Sequence, residues 1–210
     1  MSDVRFVKGG TLVGRDEAAA CGVLVAGAGI SEPSTVHAFS SEEDFRVWLA
    51  SSSAKKRLLA LDAVVTRTRA EAAVDGAWSP ARLQGSAELA VAALYELGER
   101  HLLQPSSAEL LRKVTSETGS TPARFPSLMV LFDANELGGA WRPVDGVVPH
   151  LEWIGFDDRT SSLWLAGAGV LGQHPWFGGQ RIYMLGAPWI RFDRLRDFGF
   201  DNCASSAAVL

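Results

Sequence analysis

Gly155-Phe156-Asp157-Asp158-Arg159-Thr160-Ser161-Ser162, followed by apolar residues 163–165, recurs 44 positions later as Gly199-Phe200-Asp201-Asn202-Cys203-Ala204-Ser205-Ser206, followed by apolar residues 207–209. A duplication of this kind decides the fold reading, because one supersecondary unit cannot bury its apolar face alone and a second copy supplies the cover. Outward from this pair, Leu151 and Leu195 each stand four residues before the Gly-Phe, and Leu137-Gly138-Gly139 in the first copy answers Phe177-Gly178-Gly179 in the second. Between these landmarks, residues 128–132, 162–165 and 181–185 form short alternating runs separated by turn residues, the pattern of antiparallel strands. About 40 residues per copy holds four short strands, the size of one Greek key. Two such units stacked face to face bury their aromatic residues as a sandwich.

In these residues the chain resembles the βγ-crystallins, and in particular their microbial calcium-binding members, over about residues 127–210. Each Greek key of that family carries an aromatic-rich hairpin ending in Phe-x-Gly and, later, a hexapeptide of the form Asn/Asp, Asn/Asp, x, x, Ser/Thr, Ser. Asp157-Asp158-Arg159-Thr160-Ser161-Ser162 and Asp201-Asn202-Cys203-Ala204-Ser205-Ser206 satisfy it at every fixed position. The chemistry agrees. Calcium takes six to eight oxygen ligands from carboxylates, amides, hydroxyls, backbone carbonyls and water, and tandem Asp/Asn followed by Ser offers several of these. The resemblance implies up to two calcium ions, each clamped between the hexapeptide of one Greek key and the first hairpin loop of the other. Asp157, Asp158, Ser161 and Asp201, Asn202, Ser205 would be the principal metal-site residues, with Asp133 and Gln173 as supporting carbonyl donors. Three positions depart from the pattern or weaken a site. Gly172 replaces the first aromatic of the hairpin, which Phe132 supplies in the other copy; Arg159 places a cation inside the first hexapeptide; Cys203 adds no hard oxygen. The alternative for the hexapeptides is a pair of structural corners, since Asp, Asn and Ser side chains tie turns by bonding nearby backbone.

The first part of the chain has a different composition. Six of the 19 aromatic residues fall before residue 125 and 13 from Phe125 onward, while all four lysines (Lys8, Lys55, Lys56, Lys113) lie in the first part. Residues 4–7, 11–13, 23–26 and 35–39 read as short strands. Ser40 with Glu43 reads as a capping box opening a helix over residues 41–50, and Leu58, Leu61 and Val65 mark a second helix. Further helices are expected over residues 86–103 and from Ser106 to before Gly119. The expected fold class is therefore α+β in two domains. Residues 1–120 form a mostly helical domain with a few short strands, 121–126 a linker, and 127–210 an all-β double Greek-key sandwich of βγ-crystallin type, with keys at about 127–166 and 167–210.

Several function classes are disfavoured. With 24 Asp and Glu against 20 Lys and Arg, the chain is no basic nucleic-acid binder. Cys21 and Cys203 lie far apart, without metal-ligand spacing. The glycines at 27 and 29 lack the third glycine of a dinucleotide fingerprint, since Glu32 stands there. His37, His101, His150 and His174 are isolated, and Trp153, Trp164, Trp176 and Trp189 read as core and corner residues, so no enzyme site is expected. The longest apolar run, residues 18–30, is short for a membrane span, and no secretory signal is seen, so a cytoplasmic location is expected, with non-classical release as the other route. The leading reading is a non-enzymatic calcium-binding protein whose stability is linked to the ion, with a protein partner as a further expectation for the N-terminal domain. The competing reading is a calcium-independent interaction, inhibitor or toxin-like protein that uses the crystallin-like domain as a scaffold.

Overall fold

The computed structural model describes residues 4–26, 35–51, 56–72 and 127–210, and of residues 187–189 the backbone alone. In the C-terminal part, β5 (Leu128–Ala134), β6 (Gly138–Val144), β7 (Val147–Val148), β8 (Ser162–His174), β9 (Gly178–Phe192) and β10 (Ser206–Val209) form two four-stranded groups. In the first group β5 pairs with β6 and with the opening of β8, from Phe132↔Ser162 to Leu128↔Ala166, and that part of β8 also pairs with the end of β9 through Leu163↔Phe192. In the second group the remainder of β8 lies between the start of β9 and β10, and β10 takes β7 on its other side. Each group thus receives one strand from the other half of the repeat.

The long strands β8 and β9 run through both groups, with their register shifting between Leu165 and Gly167. Gly167 has φ +101°, and a Cβ there would lie 2.7 Å from the Leu210 carbonyl oxygen, so only glycine fits the change of group. Between the groups lies the main core, which includes Met129, Leu131, Leu163, Leu165, Leu171, Ile182, Met184, Phe156 and Phe200. Phe156 and Phe200, the aromatic residues of the two Gly-Phe landmarks, are fully buried in it.

Strands from the N-terminal part extend the second group. β1 (Arg5–Lys8) pairs antiparallel with β2 (Thr11–Val13) and parallel with β4 (Thr35–Phe39). β3 (Val23–Ala26) pairs antiparallel with β4 and, on its other edge, parallel with β9 from Val23↔Arg181 to Ala26↔Met184. One sheet therefore runs in the order β2-β1-β4-β3-β9-β8-β10-β7, across the expected division between domains. The four expected short strands are all present, and α1 (Arg15–Ala19), α2 (Glu42–Ala50) and α3 (Lys56–Glu71) accompany them. The cap of α2 lies one residue later than the sequence pattern suggests. Ser41 accepts the Asp44 N–H at 3.1 Å and donates to Asp44 Oδ2 at 2.7 Å, because Ser41 has the extended backbone that a cap requires. The expected helices over 86–103 and from Ser106, and the linker at 121–126, lie outside the described residues.

Helices α2 and α3 cover the face of the sheet that points away from the main core. Phe45, Leu49, Leu58, Leu61 and Val65 pack there against Val23, Val25, Ala168, Val170, Tyr183 and Ala208. This explains the sequence of β3 and the middle of β8. Strands covered on both faces lose the alternation of a half-exposed strand and read as continuous apolar runs. Val23 and Val25 face the helices, whereas Leu24 and Ala26 join the main core.

Polar groups fasten this cover. Asp62 of α3, 7% exposed, accepts the Tyr183 hydroxyl at 2.9 Å and the Arg46 Nε–H at 3.0 Å. Glu42 at the start of α2 accepts Arg181 Nη2 at 2.7 Å, Arg69 Nη1 at 2.6 Å and Arg46 Nη2 at 3.3 Å. Burial acts to raise the Glu42 carboxyl, but the hydrogen bonds and charges of Arg181 and Arg69 outweigh it and hold the group down to about 2. Burial first, then the neighbouring Asp62 charge, pushes the Tyr183 phenol up, so it stays a neutral donor.

Candidate metal-binding corners

The two hexapeptides lie side by side and bond each other reciprocally. Asp158 N–H donates to the Ala204 carbonyl and Asn202 N–H to the Thr160 carbonyl, each at 3.0 Å. Asp158 and Asn202 occupy the left-handed region, with φ 50° and 51°. Asp and Asn tolerate that conformation better than most residues, so the second position of the hexapeptide is restricted by backbone as well as by ligand chemistry.

Their side chains then cross between repeats. Ser161 Oγ donates to Asn202 Oδ1 at 3.1 Å, and Ser205 Oγ donates to Asp158 Oδ1 at 3.4 Å. Each serine is also tied to the hairpin of its own repeat. Ser161 N–H donates to the Phe132 carbonyl at 2.8 Å, and Ser205 N–H to the Gly172 carbonyl at 2.9 Å. Two oxygen-rich corners result. The first combines Ser161, Asn202 and the hairpin next to Asp133; the second combines Ser205, Asp158 and the hairpin next to Gln173. In each corner the serine and the hairpin come from one repeat and the Asp or Asn side chain comes from the other.

The other predicted residues take separate places. Asp157 is half-buried and its Oδ1 is buried without a hydrogen-bond partner, whereas Asp201 is exposed. Asp133 Oδ1 accepts the Ala140 N–H at 2.7 Å, and Gln173 Oε1 accepts the Gln180 N–H at 3.3 Å, so both side chains brace their hairpins. Among the described residues no group of three or more His, Cys, Asp or Glu side chains is arranged to hold a metal. An ion in either corner would therefore depend on hydroxyl, amide and carbonyl oxygens, with few carboxylates.

Two serines outside the expected ligand set have a defined role. Ser162 Oγ donates to the Ala134 carbonyl and accepts the Leu137 N–H at 3.0 Å; Ser206 Oγ donates to the His174 carbonyl at 2.9 Å and accepts the Phe177 N–H at 3.1 Å. The sixth residue of each hexapeptide thus locks a folded hairpin, in which Glu136 and Leu137, and likewise Trp176 and Phe177, have positive φ. The recurrence of Ser at that position was the available signal. At Gly172 a Cβ would lie 2.5 Å from Ser206 Oγ and 2.9 Å from Phe177 Cα, so the missing aromatic reflects a tighter fit of hairpin and lock.

The corners differ in charge. Arg159 donates through Nη2 to Asp133 Oδ2 at 2.7 Å and through Nη1 to the Gly155 carbonyl at 3.2 Å, with its guanidinium 5.3 Å from the centre of the Phe156 ring. Cys203 holds the matching place in the second repeat. Burial, followed by the charges of Asp158 and Asp201, pushes its thiol up to about 11, so it remains uncharged. Of the remaining aromatic and histidine residues, Trp164 is buried, His150 stacks on Trp153 at 5.6 Å, and Trp153 meets Trp176 edge-on at 5.9 Å. No helix among the described residues is long and apolar enough to cross a membrane.

No protein-family model matches the sequence, and no curated protein matches it. Solved structures that are similar to part of the chain include a βγ-crystallin from Ciona intestinalis, at 24% identity and TM-score 0.35, covering 39% of this chain and 96% of that one. A βγ-crystallin from an archaeon is 17% identical with TM-score 0.36, covering 41% and 100%. Spherulin 3a from Physarum polycephalum is 19% identical with TM-score 0.35, covering 41% and 87%.

Proposed function

We propose that the protein is a non-enzymatic calcium-binding protein whose crystallin-like part is stabilised by calcium held at an oxygen-rich corner between its two repeats. The observation that carries this reading is the reciprocal crossing of Ser161 to Asn202 and Ser205 to Asp158, each beside a hairpin carbonyl. Such crossing gathers oxygens from both repeats at one point, which a local turn does not require. The donor set fits a hard cation, since hydroxyl, amide, carboxylate and carbonyl oxygens are calcium's ordinary ligands. The buried Asp157 Oδ1 adds an oxygen without a hydrogen-bond donor beside the first turn. Asp158, Ser205 and the carbonyls beside Gln173 offer one such donor set, and Asn202, Ser161 and those beside Asp133 the matching one. Asp157 and Asp201 would supply charge nearby. A bound ion would neutralise the carboxylates and clamp the repeats together, stabilising the native state by RT ln(1 + [Ca]/Kd).

Two-dimensional amide NMR of the full chain, titrated with calcium and separately with magnesium, tests this. The expected result is calcium-specific movement confined to one corner, such as Ser205, Asp158 and Gln173. A spectrum unchanged at millimolar calcium would leave the hexapeptides as corners fixed by their own hydrogen bonds, and the protein as a calcium-independent scaffold.

A further inference from the structure

We propose that Arg159 is a tethered cation that takes the place of calcium at the first corner, so that the chain responds to the ion only through the corner of Asp158 and Ser205. This rests on the calcium reading of the corners and adds which of them is active, and why.

Arg159 is held at three points: the Asp133 carboxylate, the Gly155 carbonyl and the Phe156 ring. The Asp133 carboxylate is consequently fully engaged, with Oδ2 on the guanidinium and Oδ1 on the Ala140 N–H. A guanidinium fixed beside the hairpin repels an arriving dication, while its own charge already satisfies the carboxylate. The oxygen that the second repeat contributes to this corner belongs to Asn202, a neutral amide. Positive charge also flanks the same hairpin at its tip, where Arg194 Nη2 lies 3.3 Å from Glu136.

The second corner has the opposite character. Its crossing oxygen belongs to a carboxylate, Asp158, and the hairpin residue matching Asp133 is the neutral Gln173. The place of Arg159 is taken by the uncharged thiol of Cys203, and the hairpin tip carries Trp176 in place of Glu136. Two corners with matching backbone bonds and matching positive φ thus differ in charge, one neutralised from within and one that gains from an external cation.

Calcium titration calorimetry on the full chain tests the assignment, with chelator-phase thermal unfolding of each variant as the check on folding. Wild type should bind one ion per chain, and Asp158→Asn should bind it at least about tenfold more weakly for loss of the ligand charge, a change the backbone tolerates because Asn202 holds the same left-handed conformation. Arg159→Gln should bind two ions, whereas Arg159→Lys, which keeps the charge, should still bind one. Two ions in wild type, or one in Arg159→Gln, would overturn the role of Arg159 while leaving calcium binding in place. No binding by any form, Arg159→Gln included, would overturn the calcium reading and this inference with it.

Discussion

Strands β6 and β9 occupy matching places in the two repeats, 40 residues apart, yet among the described residues only β9 takes a further strand. β9 presents Arg181 and Tyr183 to the N-terminal part, the first bonded to Glu42 and the second to Asp62. At the matching positions β6 has Trp141 and Pro143. Pro143 has no N–H to donate, and among the described residues β6 pairs with β5 alone. Beside Ser161 and Ser205 the same divergence recurs, with Asp133 and Arg159 in one repeat and Gln173 and Cys203 in the other. Duplication preserved the backbone through a small set of residues: the Gly-Phe pairs, the left-handed Asp or Asn, and the locking serine. The positions between them were free to specialise, one repeat carrying the attachment to the N-terminal helices and the other an internal ion pair.

The two hairpins differ most in packing at the paired positions 132 and 172. Phe132 is fully buried with Leu128, Val130, Leu137 and Trp164, so Phe132→Ala should cost about 3–5 kcal/mol in urea unfolding. Gly172→Ala in the other repeat should cost about 1–3 kcal/mol for the opposite reason, overpacking against Ser206 and the Phe177 backbone. If either change were neutral, the two hairpins would not be packed as described. A finer probe is the pair Ser162→Ala and Ser206→Ala. Each strands one buried N–H, of Leu137 or Phe177, so the two should lose similar stability, about 1–2 kcal/mol each. A large inequality would show that the locks are not equivalent.

The smallest effect at neutral pH concerns the attachment. Glu42 is held at about 2 in the folded protein, below its ordinary 4.5. Its contacts therefore stabilise fully above about pH 5 and are lost as pH falls through about 2. Unfolding followed from pH 5 to pH 2 should show a shallower loss of stability in Glu42→Gln than in wild type. Parallel profiles would mean that the arginine contacts of Glu42 do not persist in solution.

Much of this arrangement was legible in the sequence, for identifiable reasons. Short β-like runs between glycine and proline signals located β1 to β4, and the spacing of Leu58, Leu61 and Val65 located α3. The hexapeptides stood out because the duplication repeated them. Glycine punctuation was misleading in β8 and β9, where it divided long strands into short runs: Gly167 marks a change of partner within a strand. Pairing of β3 with β9 joins residues about 158 apart in sequence, which no local pattern reports. Its traces were the unbroken apolar run of β3 and the single carboxylate of Asp62 on the apolar face of α3. The crossing of Ser161 to Asn202 was invisible for the same reason, since each hexapeptide read alone groups its own Asp and Ser.

Calcium held as proposed would stabilise the native state, and thermal unfolding followed by tryptophan fluorescence reads that gain. Wild type and a Ser161→Arg, Ser205→Arg double variant would be compared in chelator, calcium and magnesium. At calcium a hundredfold above Kd the native state gains about 2.7 kcal/mol, or about 5–10 °C in midpoint for a chain of this size, in wild type alone and with calcium alone. Identical wild-type midpoints in chelator and in millimolar calcium would mean that no ion links the repeats.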